Sequence, residues 1–423
     1  MMETALKTVK RYPKYKDSGL DWLGEIPDVW YTEKGKWLFS KEERPTRKED
    51  EIVTCFRDGQ VTLRRLRRTD GFTNSIKEHG YQGIRKGDLV IHQMDAFAGS
   101  IGVSDSDGKS TPVYSVCTER VNNSVDNYYY AYLLRNMARV GFIESLAKGI
   151  RERSTDFRFN DFKELILPFP PLPEQTAIAN FLDDKTEKID RAVSIKEKQI
   201  ALLKERRQII IQELVTGKKV WNEAKQAWEK PENTKDSGVE WIGEIPEEWE
   251  VKKMKHLLRI KNGQDYKHVL SDSGYPVMGS GGQFAHASEY IYDGEVVLLG
   301  RKGTIDRPLY FNGKFWTVDT MFYAIVNESY LTKYIYYIST TIPFKYYTTS
   351  TALPSMTQDD LNNNKVVIPK LEIQKKIVKQ IEFQSKKIDQ AISIKEREID
   401  KLKEYKASLV NDVVLGKVKV TSE

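Results

Sequence analysis

Apolar side chains recur every seven residues along two well-separated stretches of the chain. In the first, Ile189, Leu203 and Ile210 fall on one register and Val193, Ile200 and Leu214 on another. These two registers are the core positions of a coiled coil. No Pro or Gly interrupts Glu174–Val215, which predicts one helix of forty-two residues, about 63 Å long at 1.5 Å per residue. Gly217 stops it, because glycine tolerates the left-handed φ that ends a helix. The second stretch repeats the pattern with Ile388, Leu402, Leu409 and Ile392, Ile399, Val413, and stops at Gly416. Both seams carry basic residues at core positions: Lys196 and Arg207, then Lys395 and Lys406. Such a residue costs stability and specifies register or partner, unless its stem merely snorkels from a loose seam. Two helices of this kind in one chain most simply pack antiparallel. That predicts a pseudo-twofold axis, with the remaining chain at opposite ends of a rod.

Outside the helices the pattern changes to strands. Gly87-Asp88-Leu89-Val90-Ile91 is a buried run entered by a turn, and Pro112–Val116 reads as another strand. Tyr128–Met137 then reads as an amphipathic helix. Gly294–Leu299, Lys314–Val318 and a helix over Leu331–Ser339 follow the same order later in the chain. Two segments therefore share a fold while differing in surface residues.

The framework around these segments is written twice. Lys16–Trp30 returns as Lys235–Trp249 at an offset of 219, with Gly-Glu-Ile-Pro in both copies. Ile189–Glu197 returns as Ile388–Glu396 at an offset of 199, as do Gln175 with Gln374 and Gly217-Lys218 with Gly416-Lys417. The repeat divides the chain into a framework segment at 1–30, an insert at 31–168, and a long helix at 169–217. A linker with the second framework copy follows at 218–249, then an insert at 250–368, a helix at 369–417 and a tail at 418–423. The fold class is α+β: two α/β inserts separated by a pair of long antiparallel coiled-coil helices.

Composition narrows the classes. The chain has 423 residues, with 67 Lys and Arg against 61 Asp and Glu, a net charge of +6. That surplus permits a nucleic-acid partner without demanding one. No run approaches the roughly 20 apolar residues of a membrane helix, and the amino terminus shows no secretory pattern, so a cytoplasmic protein is expected. Two cysteines and five histidines exclude a disulfide framework and most metal sites.

Candidate recognition residues cluster in loops near the strands. Arg64, Arg65, Arg67 and Arg68 form the densest basic run, and Arg151 with Arg153 forms a second. Gln93 joins them in the first insert. Lys261, Gln264, Ser280, Gly281, Arg301, Lys302 and Tyr347 are the candidates of the second. Arg pairs bidentately with guanine, Gln with adenine, and glycine lets a backbone approach phosphate. A short basic run is as often a solvated face, and Gly279-Ser280-Gly281-Gly282 reads more simply as a turn. The tyrosines of Tyr128–Tyr132 and Tyr334–Tyr337 read as core rather than base-stacking platforms.

Catalytic patterns are missing: no dinucleotide fingerprint, no P-loop and no His-Glu-x-x-His occurs. Phe169-Pro170-Pro171-Leu172 lacks the preceding Asn or Asp of an amino-methyltransferase site, and Glu223-Ala224-Lys225 lacks an upstream acidic partner for a nuclease. The chain reads as non-catalytic.

These residues resemble the specificity subunits of Type I restriction–modification systems. The resemblance rests on Gly-Glu-Ile-Pro-x-x-Trp at Gly24–Trp30 and Gly243–Trp249, and on Pro-Pro-Leu-Pro-Glu-Gln at Pro170–Gln175. The latter decays to Pro369-Lys370-Leu371-Glu372-Ile373-Gln374 in the second copy. The helix end Glu213–Lys218 also matches, with Val414-Leu415-Gly416-Lys417 departing from it. The resemblance implies that each insert is a target-recognition domain reading one half of an interrupted double-stranded DNA sequence. The helices would set the spacer and dock two methyltransferase subunits, with motor–nuclease subunits joining for cleavage. S-adenosylmethionine, ATP and Mg2+ would then sit on those partners, with no cofactor in this chain. A methylation-only or nuclease-fused system, or a coiled-coil scaffold without DNA, are the alternatives.

Overall fold

The computed structural model describes residues 10–67, 79–146, 156–344 and 354–420. Leu172–Val215 and Leu371–Val414 each form one unbroken helix of 44 residues, about 66 Å long at 1.5 Å per residue. The first begins two residues ahead of Glu174, because Pro173 falls in the first turn, where a missing N–H breaks nothing. The seam forms largely where the heptads put it, with Val193, Ile200, Leu203, Ile210 and Leu402 half-buried. Ile189, Leu214, Ile388, Ile392, Ile399, Leu409 and Val413 are buried. Arg207 is ion-paired with Asp389, and Lys406 with Asp190 at 2.7 Å. These are one pair seen twice, since Arg207 and Lys406, like Asp190 and Asp389, lie 199 residues apart. Of the four basic seam residues, Arg207 and Lys406 thus find carboxylates on the facing helix rather than only snorkelling.

The chain divides into two compact units, 1–195 with 397–423, and 196–396. Each combines one insert with the first half of one long helix and the second half of the other, as antiparallel helices require.

In the first unit, strands β1 (Phe39–Lys41), β2 (Val53–Cys55), β3 (Val61–Leu63), β4 (Leu89–His92), β5 (Ile101–Val103) and β6 (Tyr114–Glu119) precede helix α1 (Asn127–Arg139). The main sheet has the order β1-β6-β4-β5, antiparallel throughout. The β2–β3 hairpin lies beside it through a parallel bridge from Val61 to Ser104. Asp126 caps α1 by accepting from the Tyr128 and Tyr129 N–H groups. The helix then buries Tyr129, Tyr130, Leu133 and Met137 in one core with Leu89, Ile91 and Ile101.

The second unit contains β7 (Leu258–Asn262), β8 (Tyr275–Gly279), β9 (Gly282–Ala287), β10 (Tyr292–Gly300), β11 (Leu309–Thr317), β12 (Met321–Val326) and helix α2 (Thr332–Ser339). Its sheet runs β7-β12-β10-β11-β8-β9, with Leu270–Ser271 at the edge. The first four strands repeat the order of the first unit. Beyond them β8 adds in parallel to β11, pairing Val277 with Trp316. A shared four-stranded frame therefore carries different edges. The strand expected at Pro112 starts at Tyr114, since Pro has no N–H for the ladder. The one expected at Lys314 starts at Leu309, because Leu309–Phe311 are only half-buried, Asn312–Lys314 are polar or glycine, and only the last three residues are fully buried.

Identical joints hold both frames to the helices. Gln175 accepts from the Asp126 N–H at 2.8 Å and donates to the Pro170 carbonyl at 2.8 Å. Gln374 accepts from the Leu331 N–H and donates to the Pro369 carbonyl, both at 2.9 Å. Both glutamines are fully buried, so each satisfies a buried carbonyl and a half-buried N–H. Tyr129 donates to the Val414 carbonyl and Tyr130 to that of Pro168. One hydroxyl, Tyr334, covers the equivalent Val215 and Val367 carbonyls at 3.0 Å each. Tyr129, Tyr130 and Tyr334 are core, as the sequence suggested, but Tyr132, Tyr336 and Tyr337 are half-buried and Tyr128, on the outer face of its helix, is exposed. Gly217 at φ 74° abuts Pro246, and Gly416 at φ 72° abuts Pro27 and Trp30, leaving no space for a Cβ. Each helix end thus docks on a Gly-Glu-Ile-Pro segment. The hairpin Val220–Asn222 with Ala227–Glu229 pairs Val220 with Glu229. In the first unit Lys419 pairs with Lys10, related to those residues by the same two offsets, 199 and 219.

Candidate nucleic-acid interface

Within the first unit the basic run follows directly from the β2–β3 hairpin. Arg64 begins a 3-10 turn after β3 and its Nε donates to Thr54 Oγ1 at 3.1 Å. Arg65 pairs with Glu51 at 2.7 Å, and Arg67 with Asp58 at 2.6 Å. Arg67 also donates to Gln60 and lies 4.3 Å from the Phe56 ring centroid. Its hydrogen bond holds the Asp58 carboxyl below the usual carboxylate range. Exposed pairs like these are worth about 0–1 kcal/mol, so phosphate oxygens can replace the carboxylates at little cost. Arg68, Arg151 and Arg153 lie outside the described residues.

Gln93 follows β4 and its side chain donates to Ser115 Oγ at 3.3 Å. The hairpin tip reaches this turn through Arg57, which is ion-paired with Asp95 at 3.1 Å. Arg57, Arg67 and the Gln93 turn are therefore neighbours around residues 56–60. Arg57 escaped the sequence reading, although Asp58-Gly59 between β-branched residues is a hairpin signal that flags its position. Gly59 sits at φ 88°, as such a turn needs. Arg44 and Arg85 do not join this group. They pair instead with the buried Asp88 and Asp50, at 3.1 and 3.2 Å.

In the second unit the turn Val318–Thr320 is the gathering point. Gln264 donates its N–H to the Thr317 carbonyl at 2.9 Å and accepts from Trp316 Nε1 at 3.1 Å. Arg301 and Lys302 both donate backbone N–H groups to the Thr320 carbonyl, and the Arg301 guanidinium donates to that of Asp319 at 3.2 Å. Ser280 and Gly281 form the two-residue loop joining β8 to β9. They line one open cleft with Tyr266, Phe284 and Val318–Thr320. Ser280 and Gly281 thus line the cleft itself, while Gln264, Arg301 and Lys302 bond to the Thr317–Thr320 backbone beside it without lining it. Lys261 is exposed within β7 opposite Tyr323 rather than in a loop, because its run alternates buried and exposed residues as a strand does. Tyr347 lies outside the described residues. Glu223 and Lys225, the nuclease-like pair, occupy the turn after Val220–Asn222 and bond separately to Lys376 and Glu229.

Both edges combine guanidinium or ammonium groups, side-chain amides and glycine turns on a rigid sheet. Such an edge can bind phosphate and read base edges. Among the described residues no group of three or more His, Cys, Asp or Glu is placed to hold a metal ion, and no helix is long and apolar enough to cross a membrane.

Comparison with known proteins identifies the family and the fold. The sequence profile for the Type I restriction modification DNA specificity domain matches residues 23–205 and 246–404. The MjaX specificity subunit of a type I restriction enzyme from Methanocaldococcus jannaschii is 24% identical, over 94% of this chain and 96% of its own. The MjaVIII specificity subunit from the same organism is 26% identical over 71% of this chain and 72% of its own. A chain solved to explain complex assembly and conformational transition of a type I R-M system superposes with a TM-score of 0.68 at 15% identity. It covers 92% of this chain and 98% of its own. The HsdS subunit of Thermoanaerobacter tengcongensis gives 0.50 at 15% identity, with the same coverage. This chain belongs to the Type I restriction–modification DNA specificity family, as a specificity subunit.

Proposed function

We propose that each unit reads one half of an interrupted double-stranded DNA target, the first through Arg57, Arg67 and the Gln93 turn, the second through the edge around Val318–Thr320. The observation that carries this reading is the pair of unlike edges on one four-stranded frame, fixed to the helices by the same buried glutamine joints. A frame fixed in the same way in each unit holds each reading edge on its own helix while letting the side chains differ. The arginines supply guanine contacts and the amides adenine contacts. Lys261 and Lys302 supply phosphate neutralisation.

The long helices would set the spacer, since about 66 Å is a little under two DNA turns of ~34–36 Å. They would also dock two methyltransferase subunits. The first helix exposes Ile195, Leu202 and Ile209 at seven-residue intervals, a stripe suited to a partner helix. In this reading chemistry resides on the partners: S-adenosylmethionine with the methyltransferase subunits, ATP and Mg2+ with motor–nuclease subunits. The chain itself acts in the cytoplasm as a non-catalytic reader.

Long-read detection of modified bases, with the gene present and deleted, tests the reading. Loss of one interrupted methylation motif on deletion is expected; an unchanged set of methylated motifs contradicts it.

A further inference from the structure

The β8–β9 hairpin contains a residue out of register. Val277 faces Ala285 and Met278 faces Gln283, so Phe284 is an extra residue, a β-bulge. Directly opposed residues share a sheet face, so Gln283 follows Met278, and His286 follows Pro276, onto the same face. Without the bulge, residues three apart would lie on opposite faces. With it, Gln283 Nε2 and His286 Nε2 come within 3.0 Å. The bulged Phe284 is 55% exposed, although its neighbours Tyr266 and Gly279 are close enough to hold it: the Tyr266 ring lies edge-on at 5.2 Å. A large aromatic ring kept in solvent by a bulge, at the mouth of the cleft that Ser280, Gly281 and Thr320 line, is costly for folding alone.

We propose that Gln283 reads an adenine in the half-site of the second unit, that His286 is its positioning residue, and that Phe284 packs on the methyl group of a neighbouring thymine. This deepens the DNA-reading assignment above and rests on it. A free glutamine amide samples many rotamers, and the His286 bond fixes its donor–acceptor plane before contact, so less entropy is lost on binding. Adenine N6 and N7 match an amide bidentately, and an aromatic ring matches the thymine methyl. The Ser280-Gly281 loop has no bulky side chain, so the hairpin tip can approach the groove, with Arg301 and Lys302 nearby for phosphate.

The test uses the full chain assembled with its methyltransferase subunits and a DNA library randomised in both half-sites, read by sequencing methylated products. Gln283→Ala should lower discrimination at one base pair of one half-site by roughly 5- to 150-fold, leaving the other half-site and the spacer intact. His286→Ala should relax the same base pair, and the double variant should add nothing, which a merely structural role would not produce. Phe284→Ala should relax the adjacent pair. Gln283→Glu should shift the preference at its pair from adenine to cytosine. Wild-type preferences in all of these variants overturn the proposal, as does loss of both half-sites together. If the wild-type complex itself shows no bipartite motif, the underlying DNA-reading assignment fails instead.

Discussion

The two units solve one mechanical problem with unequal means. In the first, Glu174 accepts from Trp30 Nε1 at 2.9 Å and from the Tyr12 hydroxyl, tying the helix start to the Gly-Glu-Ile-Pro-x-x-Trp segment. In the second the equivalent positions are Ile373, Trp249 and Pro231, and packing replaces that hydrogen-bonded joint. The buried glutamines, by contrast, are the same in both. What stays constant is therefore the joint between frame and helix, and what varies is the trim around it and the edge beyond it. Geometry is held where both units need it, and side chains are released at the edges proposed to read DNA.

That comparison can be broken at its constant part first. Gln175→Ala and Gln374→Ala each strand a buried carbonyl and a half-buried N–H, so each should cost on the order of 2–3 kcal/mol, equally in the two units. Chemical denaturation of each variant measures this, and a large inequality would mean the joints are not equivalent. Next comes the variable trim. Glu174→Ile, which copies the second unit into the first, leaves Trp30 Nε1 and the Tyr12 hydroxyl without their acceptor and should cost about 2 kcal/mol. The reverse change, Ile373→Glu, should bring no gain, because Pro231 offers no hydroxyl.

Smaller effects sharpen the picture. Tyr334→Phe removes one hydroxyl facing two carbonyls and should cost roughly 1–2 kcal/mol, more than Tyr129→Phe or Tyr130→Phe alone, by the same denaturation assay. Smallest is the Asp58–Arg67 pair. Its depressed carboxylate pKa stabilises the folded state at neutral pH, and that contribution disappears as pH falls below about 4. Asp58→Asn should flatten only that acid limb of a pH–stability curve.

Much of the framework was legible in the sequence because its determinants are local or repeated. Heptad spacing marks both long helices, and the duplicated Gln175 and Gln374 mark the joints even before their partners are known. The edges were less legible. The parallel pairing of Val277 with Trp316 and the Phe284 bulge depend on residues far apart in sequence or on a one-residue register shift, which hydrophobic runs do not encode. The same holds for Arg57, whose place beside Asp95 follows from how the β2–β3 hairpin packs. A dense basic run drew attention to Arg64 and Arg65, yet their side chains bond to Thr54 and Glu51 along the hairpin.

The central claim is that the two edges read separate halves of one target. Its most direct measurement compares the methylation motifs written by complexes carrying Arg57→Ala with Arg67→Ala, and by complexes carrying Arg301→Ala with Lys302→Ala. The account predicts that the first pair relaxes or weakens one half-site only and the second pair the other half only, with the spacer unchanged. Changes in the same half-site from both pairs, or in neither, would contradict it.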